Sequence, residues 1–307
     1  MGESLTDRPT AAVVGMFDGV HLGHRHLLRQ LTELAHERGL APLAVTFPGH
    51  PLSCICPERA PRLLSLPDEK LQLLKGEGVE VAMLPFTPEL RATSAAGFLT
   101  MLRESYGAQA MLLGFNNRFG HDAPSDFSSY AALGREHGVE LFLGSEFDIE
   151  GKAVSSSAIR RSLSEGDAEE AAAMLGRFYP VTGTVVAGKR LGRQLGFPTA
   201  NLEPYGEDKL IPAPGVYAAE ALLPSGLTLP AVVNIGRCPT VESAVGVTPR
   251  QTIEAHIIGY EGDLYGQSLT LTFIRRLRSE RRFPDLDSLR SQIGADIDLA
   301  RSVTCRL

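Results

Sequence analysis

A strand, a glycine-rich turn and a helix follow one another near the N-terminus of this 307-residue chain. The apolar run Ala11–Val14 leads directly into Gly15–His24, which reads GMFDGVHLGH, and a helical pattern then covers Leu22–Arg38. This order is typical of α/β proteins with a parallel sheet. The backbone N–H groups at the helix start, next to His21 and His24, suit an anion such as a nucleotide phosphate.

The segment Gly15–His24, called the histidine turn below, carries two histidines rather than one. A single histidine near a helix start is usually ordinary polar surface. Here His21 and His24 flank Gly23, with two more glycines just upstream, and we therefore favour phosphate-directed chemistry. Metal ligation is the weaker alternative, because no third ligand lies at a recognisable spacing.

The first half of the chain alternates between strand-like and helix-like segments. The predicted strands are Ala11–Met16, Leu43–Phe47, Val79–Leu84, Ala108–Leu113 and Val139–Leu143, and the predicted helices are Leu22–Arg38, Pro67–Gly76, Ser94–Tyr106 and Ser125–Glu136. This alternation predicts a parallel sheet with helices on both faces. Ligands of such sheets bind at the carboxyl ends of the strands. The histidine turn and the loop Gly114–Gly120 both follow strands, so we expect them to face one cleft.

From Val181 onward the pattern changes to short alternating apolar runs separated by glycine and proline. These runs are Val181–Ala187, Gly215–Leu222, Leu229–Ile235, Thr252–Ile258 and Ser268–Phe273. They predict an antiparallel sheet or small barrel, with a last helix over Asp285–Arg301 packed on its outside. We place the domain boundary near Arg177–Val181, which gives domains of residues 1–178 and 179–307.

Two helices are predicted between Ser155 and Gly176, ending at Gly166 and Gly176. The serines at the start of the first helix can cap it, its N–H groups can hold phosphate, and Arg160 adds a planar cationic group. An ordinary helix cap with a solvated arginine is the alternative, and it would be favoured for this segment alone. The histidine turn on the same kind of scaffold favours phosphate binding.

The segment Gly188–Asn201 reads GKRLGRQLGFPTAN. It is not a Walker loop, since its lysine does not follow the final glycine. Three glycines among basic side chains can nevertheless form a cationic phosphate cradle. The Thr199 hydroxyl and the Asn201 amide, two residues apart on a strand-like segment, project to one side and suit Mg²⁺ carried by a nucleotide. A basic hairpin loop is the alternative, and the tight clustering favours the functional interpretation.

Glu254 lies on a predicted strand, where it shares one polar face with His256. Such a face is usually the solvated side of a sheet. If it lines the mouth of the barrel, Glu254 is a candidate general base. The densest basic segment, Arg275–Arg282, is interpreted mainly as a solvated strand end. RNA binding there has little support without interleaved aromatic residues or net positive charge.

Composition limits the partners and the compartment. The formal charge of −6 argues against broad nucleic-acid binding, and no apolar run is long enough to span a bilayer. The N-terminus lacks the apolar core of a signal peptide. Four cysteines are too few for a disulfide framework at this length, which indicates a reducing compartment. We therefore expect a cytoplasmic protein with small-molecule substrates, no nucleic acid and no membrane, and leave its oligomeric state open.

Taken together, the motifs resemble those of the bifunctional prokaryotic riboflavin kinase/FMN adenylyltransferases, often called FAD synthetases, from about Ala11 to Arg301. The matching segments are Gly15–His24, Asn116, Ser156, Ser157 and Arg160 in the first half, and Gly192–Asn201, Gly215–Tyr217, Asn234–Thr240, Glu254–His256 and Asp263–Gly266 in the second. The string FPTAN is highly specific. The His-x-Gly-His element alone indicates only the wider nucleotidyltransferase superfamily, so the resemblance rests on both elements in this order.

The resemblance implies a Rossmann-like nucleotidyltransferase domain, followed by a riboflavin kinase-type antiparallel β-barrel with a C-terminal helix. It also implies two reactions, which use Mg²⁺ as cofactor and ATP as co-substrate. In the barrel, the ribityl 5′-hydroxyl of riboflavin would attack the γ-phosphate of ATP to give FMN. In the first domain, the FMN phosphate would attack the α-phosphorus of a second ATP to give FAD and pyrophosphate, without a covalent intermediate.

The resemblance further implies a role for each matching residue. For the kinase these are Glu254 as base, Thr199 and Asn201 as Mg²⁺ ligands, Gly188, Lys189 and Gly192 around the ATP phosphates, and Arg278 as a flavin contact. For the adenylyltransferase they are His21 and His24 as stabilisers of phosphoryl charge, Gly15, Phe17, Asn116, Ser156 and Ser157 as ATP contacts, and Arg160 on the departing phosphates.

Three other interpretations stay open. The chain could be a riboflavin kinase with a weak or inactive adenylyltransferase half. It could be a non-catalytic flavin-binding regulator, although binding alone would need neither a base nor metal ligands. It could also adenylylate another substrate, such as nicotinamide mononucleotide or phosphopantetheine, which the barrel motifs disfavour.

Overall fold

The computed structural model describes residues 8–115, 117–188, 192, 196–237 and 251–305. The chain divides into two compact units, Met1–Ser156 and Ser157–Leu307. The predicted site residues Asn116 and Lys189 lie outside the described residues.

The main sheet of the first unit has five strands, and six α-helices accompany it among the described residues. The strands are β1 (Thr10–Val14), β2 (Ala41–Thr46), β3 (Glu80–Met83), β4 (Ala108–Leu113) and β5 (Glu140–Leu143), and the helices are α1 (Leu22–Arg38), α2 (Leu52–Ile55), α3 (Pro67–Gly76), α4 (Pro88–Arg91), α5 (Ala95–Tyr106) and α6 (Phe127–Glu136). The strands form one sheet in the order β3-β2-β1-β4-β5, and every neighbouring pair is parallel. The predicted parallel sheet is confirmed.

Strand β1 is buried on both faces because it lies in the middle of this sheet. Its alternate residues belong to two separate hydrophobic clusters, with Ala12 and Val14 in one and Ala11 and Val13 in the other. Helix α5 contributes to the first cluster and helix α1 to the second. Successive side chains of a strand point to opposite faces, so helices cover both faces of the sheet, as predicted.

The strand order reverses between β1 and β4, and this is the place where open α/β sheets bind ligands. The histidine turn follows β1, and the loop Gly114–Gly120 follows β4, so both lie at this edge of the sheet. The side-chain amide of Asn117 donates a hydrogen bond to the Val14 carbonyl. This contact joins the loop after β4 to the last residue of β1.

A short hairpin and two helices lead from the first unit to the barrel of the second. The hairpin is formed by β6 (Asp148–Ile149) and β7 (Lys152–Ala153), and the helices are α7 (Ser156–Glu165) and α8 (Ala168–Leu175). Gly166 and Gly176 follow the two helices with left-handed backbones, φ 88° and 72°, as predicted. Helix α8 packs on barrel strands, which is why this segment groups with the second unit. The functional boundary near residue 178 stays a prediction.

The second unit is a closed six-stranded barrel with a helix on its outer surface. Its elements are β8 (Tyr179–Val186), β9 (Ala200–Pro204), β10 (Gly215–Leu222), β11 (Thr228–Arg237), β12 (Gln251–Ile257), β13 (Ser268–Arg278) and α9 (Leu286–Thr304). The strand order is β10-β11-β12-β9-β8-β13, and all pairs are antiparallel. Ile297 and Ala300 of α9 pack against Val216 and Val232 of the barrel. The predicted barrel and outer helix are confirmed.

The structure differs from the sequence prediction at Thr199 and at the end of the last strand, and several other elements begin or end one to three residues away from their predicted bounds. Thr199 was placed on a strand with Asn201, but β9 begins at Ala200, so Thr199 precedes the strand. The last strand was expected to end at Phe273 but continues to Arg278, so the basic segment begins inside a strand. Among the described residues, no helix has both the length and the apolar character that a membrane crossing requires.

Candidate active sites

The two histidines of the histidine turn are held face to face at the start of α1. His21 caps the helix, because its Nδ1 accepts a hydrogen bond from the His24 backbone N–H at 3.2 Å. The rings are stacked, with centroids 3.6 Å apart and an interplanar angle of 17°. Since Nδ1 of His21 is an acceptor, the neutral ring carries its proton on Nε2.

His24 is neutral at neutral pH. Burial, followed by the charges of His21 and Lys70, holds the pKa of His24 well below the usual value of 6.5. Its Nδ1 is buried and has no hydrogen-bond partner among the described residues. The edge of Phe17 packs on the ring, with centroids 5.2 Å apart. A neutral His24 ring can offer a hydrogen bond to an anion but adds no net charge.

The backbone of the histidine turn is strained. Phe17 and Val20 have left-handed backbones, with φ of 47° and 39°, a region that bulky and β-branched residues rarely occupy. Gly15 continues the sheet pattern, since its N–H donates to the Val45 carbonyl at 3.1 Å. Such strain persists only where surrounding contacts hold the turn in place.

Asp18 supplies part of this support, and sequence reasoning missed it. Its buried carboxylate accepts hydrogen bonds from the backbone N–H groups of Leu64 and Ser65, at 3.1 and 2.9 Å. The Ser65 hydroxyl in turn accepts from the Gly19 N–H at 2.9 Å. The predicted site residue Ser156 donates its hydroxyl to the Asp18 carbonyl, also at 2.9 Å. An aspartate inside a glycine turn is the only sequence signal for this network.

Ser157 and Arg160 lie on α7, which groups with the second unit. Their predicted nucleotide contacts stay predictions. A cavity of about 560 Å³ in the first unit does not adjoin the histidine turn. It is lined by residues at the opposite, amino-terminal ends of β4 and β5, among them Gly107 and Val139.

In the barrel, Glu254 lies in a row of polar residues across three strands. Its register partners are Asn201 on β9 and Asn234 on β11. Glu254 and His256 are half-buried, while the residues between and beside them are buried, which confirms the predicted alternation. Residues opposite one another on paired strands share a face, so one carboxylate lies between two amides. Asn234 was noted in the sequence only as part of a motif, because its role depends on strand register.

The glycines of the predicted phosphate cradle lie against the predicted metal ligands. A Cβ at Gly188 would collide with the side-chain amide of Asn201. A Cβ at Gly192 would collide with the Phe197 carbonyl and lie 3.3 Å from the Thr199 hydroxyl oxygen. Side chains at these two positions would therefore displace the segment that carries Thr199 and Asn201.

Thr199 borders a cavity of about 470 Å³ at one end of the barrel. The cavity is lined by Pro198, Thr199 and Ala200 on one side and by residues 260–265 on the other. His256 holds this segment in place, because its Nδ1 bonds the Pro198 carbonyl at 2.8 Å and its ring packs against Phe197. The cavity has the size of small-molecule sites, about 300–1,000 Å³.

Arg278, the predicted flavin contact, is engaged within the protein. Its guanidinium forms a two-pronged ion pair with Asp296 of α9, with contacts of 2.7 to 3.1 Å. Gln292 also donates to Asp296, at 2.8 Å. The carboxylate side chain is 5% exposed and the Arg278 side chain 19%. This pair fastens α9 to β13, and flavin binding by Arg278 stays a prediction.

The histidine turn lies where the strand order of a parallel sheet reverses, and the barrel carries a polar row of its own. These two arrangements in one chain suit a two-part nucleotide-dependent transferase. The sequence profile of the FAD synthetase family matches residues 3–158, and that of the riboflavin kinase family matches residues 175–304. The chain belongs to the family of bifunctional riboflavin kinase/FMN adenylyltransferases.

Individual relatives are similar to this chain over nearly its whole length. The bifunctional riboflavin kinase/FMN adenylyltransferase of Pseudomonas fluorescens is 36% identical over 96% of this chain and 93% of its own. The enzyme of the same name from Escherichia coli K12 is 35% identical over 94% and 90%. A solved structure from Streptococcus pneumoniae, titled as a macrolide-efflux protein, aligns with a TM-score of 0.86 at 27% identity, covering 96% of this chain and 95% of its own.

Proposed function

We propose that this chain makes FAD from riboflavin in two steps, first phosphorylating riboflavin to FMN and then adenylylating FMN. The observation that carries the proposal is that one chain holds both a stacked histidine pair at a sheet switch point and a Glu254 carboxylate opposite Asn201 in a closed barrel. The first arrangement suits transfer between phosphates, and the second suits deprotonation of a hydroxyl. Relatives that carry the names of both activities match nearly the whole chain.

In the kinase step, Glu254 acts as general base. Its carboxylate accepts the proton of the ribityl 5′-hydroxyl as the oxygen attacks the γ-phosphorus of ATP, and ADP leaves. Its neighbours Asn201 and Asn234 orient the carboxylate from the two flanking strands. The cavity beside Thr199 receives the nucleotide, and Gly188 and Gly192 let the backbone lie close to Asn201 and Thr199.

The donor set fits Mg²⁺. Thr199 and Asn201 offer a hydroxyl and an amide oxygen, which are hard oxygen ligands of the kind that Mg²⁺ accepts alongside nucleotide phosphates. Both donors lie against the glycines of the predicted cradle. Bound there, the ion would neutralise charge that develops on the phosphoryl oxygens.

In the adenylyltransferase step, a phosphate oxygen of FMN attacks the α-phosphorus of ATP, and pyrophosphate leaves. This exchange needs no proton transfer, so the task of the protein is to place the reactants and to stabilise charge. The rings of His21 and His24 act on the phosphoryl oxygens. Gly15 and Phe17 shape the turn around the nucleotide, and Asn116, Ser157 and Arg160 complete the predicted contacts.

The substrates indicate the cellular compartment and the partners of the protein. Riboflavin, ATP, FMN and FAD are small cytoplasmic molecules, and the acidic chain disfavours nucleic acid as a partner. We propose that the protein acts in the cytoplasm, without nucleic acid or membrane.

Incubation of the purified chain with riboflavin and MgATP, with products resolved by chromatography, tests the proposal. We expect FMN to accumulate first and FAD to follow. FMN alone would support a kinase with an inactive second half. Flavin binding without turnover would support a regulator and contradict the proposal.

A further inference from the structure

Lys70 is a buried charge beneath the histidine turn, and the mechanism above does not use it. It lies on the first turns of α3 and has no exposed surface. A buried ammonium group is costly unless it is paired and hydrogen-bonded. The groups that bind its ammonium therefore indicate the role of Lys70.

The Lys70 ammonium group binds main-chain carbonyls that follow two central strands. It donates to the Met16 carbonyl at 3.2 Å and to the Phe47 carbonyl. Met16 is the second residue of the histidine turn, and Phe47 follows the end of β2. The Met16 carbonyl also accepts from the Thr46 hydroxyl at 3.0 Å. Lys70 thus clamps the strained turn to the neighbouring strand next to Phe17, where the backbone becomes left-handed.

Helix α3 holds the lysine rigidly in this position. The helix starts with Pro67, and the Glu69 carboxylate accepts from the Leu66 N–H at 2.9 Å. The residues just before it, Leu64 and Ser65, are those that bind the Asp18 carboxylate. The stretch from Leu64 to Lys70 therefore supports the histidine turn at two points.

The lysine also affects the charge of the site. Its ammonium group is one of the charges that lower the pKa of His24, after burial and His21. Burial lowers the pKa of Lys70 itself to about 8, although the Asp18 carboxylate opposes this shift. Lys70 is therefore mostly protonated at pH 7. The charged and titratable groups that face it are Asp18 and His24.

We propose that Lys70 is a positioning residue of the adenylyltransferase site. It fixes the backbone of the histidine turn through its bonds to the Met16 and Phe47 carbonyls, and its positive charge adds to burial in favouring the neutral form of His24. This inference rests on the proposed function, because the proposed function assigns the histidine turn to adenylyl transfer from ATP to FMN.

Two variants of the full-length protein separate the two effects. Lys70→Met removes both the charge and the donors, whereas Lys70→Gln removes the charge and keeps an amide donor. Lys75→Met, on the exposed side of the same helix, is the matched control. Riboflavin phosphorylation by the same chains serves as an internal standard for the folded barrel, and thermal denaturation reports whether the first unit is folded.

Three quantities are measured: the KM for ATP in FMN adenylylation, the rate of that reaction, and the His24 pKa by NMR of labelled histidine. The His24 signal is identified by its loss in His24→Ala. We expect the KM to rise about tenfold or more in Lys70→Met and less in Lys70→Gln. The His24 pKa should rise by about one pH unit in both variants. Lys75→Met should change none of these.

Several results would overturn the inference. Unchanged KM and His24 pKa in active Lys70 variants would mean that the lysine contributes only to stability. Failure of both variants to fold would likewise assign Lys70 a role in stability rather than in positioning. A wild-type chain that makes no FAD would instead contradict the proposed function, so the two failures are distinguishable.

Discussion

The histidine turn and the polar row of Asn201, Glu254 and Asn234, called the Glu254 row, differ in what holds their side chains in place. The turn is irregular, with left-handed Phe17 and Val20, and buried polar contacts from residues more than forty positions away in the sequence hold it. The Glu254 row is regular, because strand pairing alone brings Asn201 and Asn234 beside the carboxylate. The turn depends on particular buried side chains, whereas the row depends on register. A substitution near the turn should therefore disturb the whole turn, whereas a substitution in the row should affect only its immediate neighbours.

The largest expected effect tests the row. Glu254→Gln keeps the shape of the side chain but removes the base, so riboflavin phosphorylation should fall by about 100-fold or more. FAD formation from supplied FMN should keep its wild-type rate. Product chromatography with each flavin measures both, and Glu220→Gln, on another barrel strand, is the matched control. Equal loss of both reactions in folded protein would contradict the assignment of the two reactions to separate sites.

The second effect tests the turn. His24→Ala removes one ring of the stacked pair, and FMN adenylylation should fall by about 100-fold, the usual cost of losing a preorganised donor. Riboflavin phosphorylation should continue. His36→Ala, exposed in the last turn of the same helix, should leave both rates unchanged. A His24→Ala protein that still makes FAD at the wild-type rate would exclude the histidine pair from the chemistry.

A smaller effect is expected at Gly188. In Gly188→Ala the new Cβ would collide with the Asn201 amide, so the KM for MgATP in the kinase step should rise between about 10- and 100-fold. The adenylyltransferase step should not change. Gly294→Ala is the control, because a Cβ there meets nothing within 4 Å. An unaltered KM would show that the cradle does not depend on this contact.

The smallest catalytic effect is expected at Arg278. Arg278→Met leaves the buried Asp296 carboxylate without its partner and should lower the free energy of unfolding by about 3 kcal/mol, measured by thermal or urea denaturation. Asp296→Asn should also destabilise the protein, but it keeps the guanidinium. A higher riboflavin KM in Arg278→Met alone would support flavin binding by Arg278. Equal riboflavin KM values in both variants would limit Arg278 to fastening α9.

The elements that could be predicted from the sequence are those with local signals. Helix α1 has the predicted bounds because His21 caps one end and Gly39, in the left-handed region, ends the other. The parallel sheet, the barrel and the outer helix followed from hydrophobic periodicity. The end of β13 could not be predicted, because its last residues are mostly arginines, which are typical of loops and solvated surfaces.

The candidate sites were predicted only in part. The motifs gave His21, His24 and Glu254, but Lys70 could not be found, since lysine is rarely buried and its partners are backbone carbonyls. Asn234 was not assigned a role, because its place beside Glu254 depends on the pairing of β11 with β12. Strand register and contacts with the backbone leave little trace in a single sequence.

Mixing two disabled proteins tests most directly the claim that the chain holds two independent active sites. Glu254→Gln and His24→Ala proteins are each incubated with riboflavin and MgATP, alone and together, and the flavins are separated over time. We expect no FMN or FAD from the first, FMN only from the second, and FAD from the mixture, since FMN released by one protein is adenylylated by the other. A mixture that stops at FMN, although Glu254→Gln protein is folded, would contradict the account.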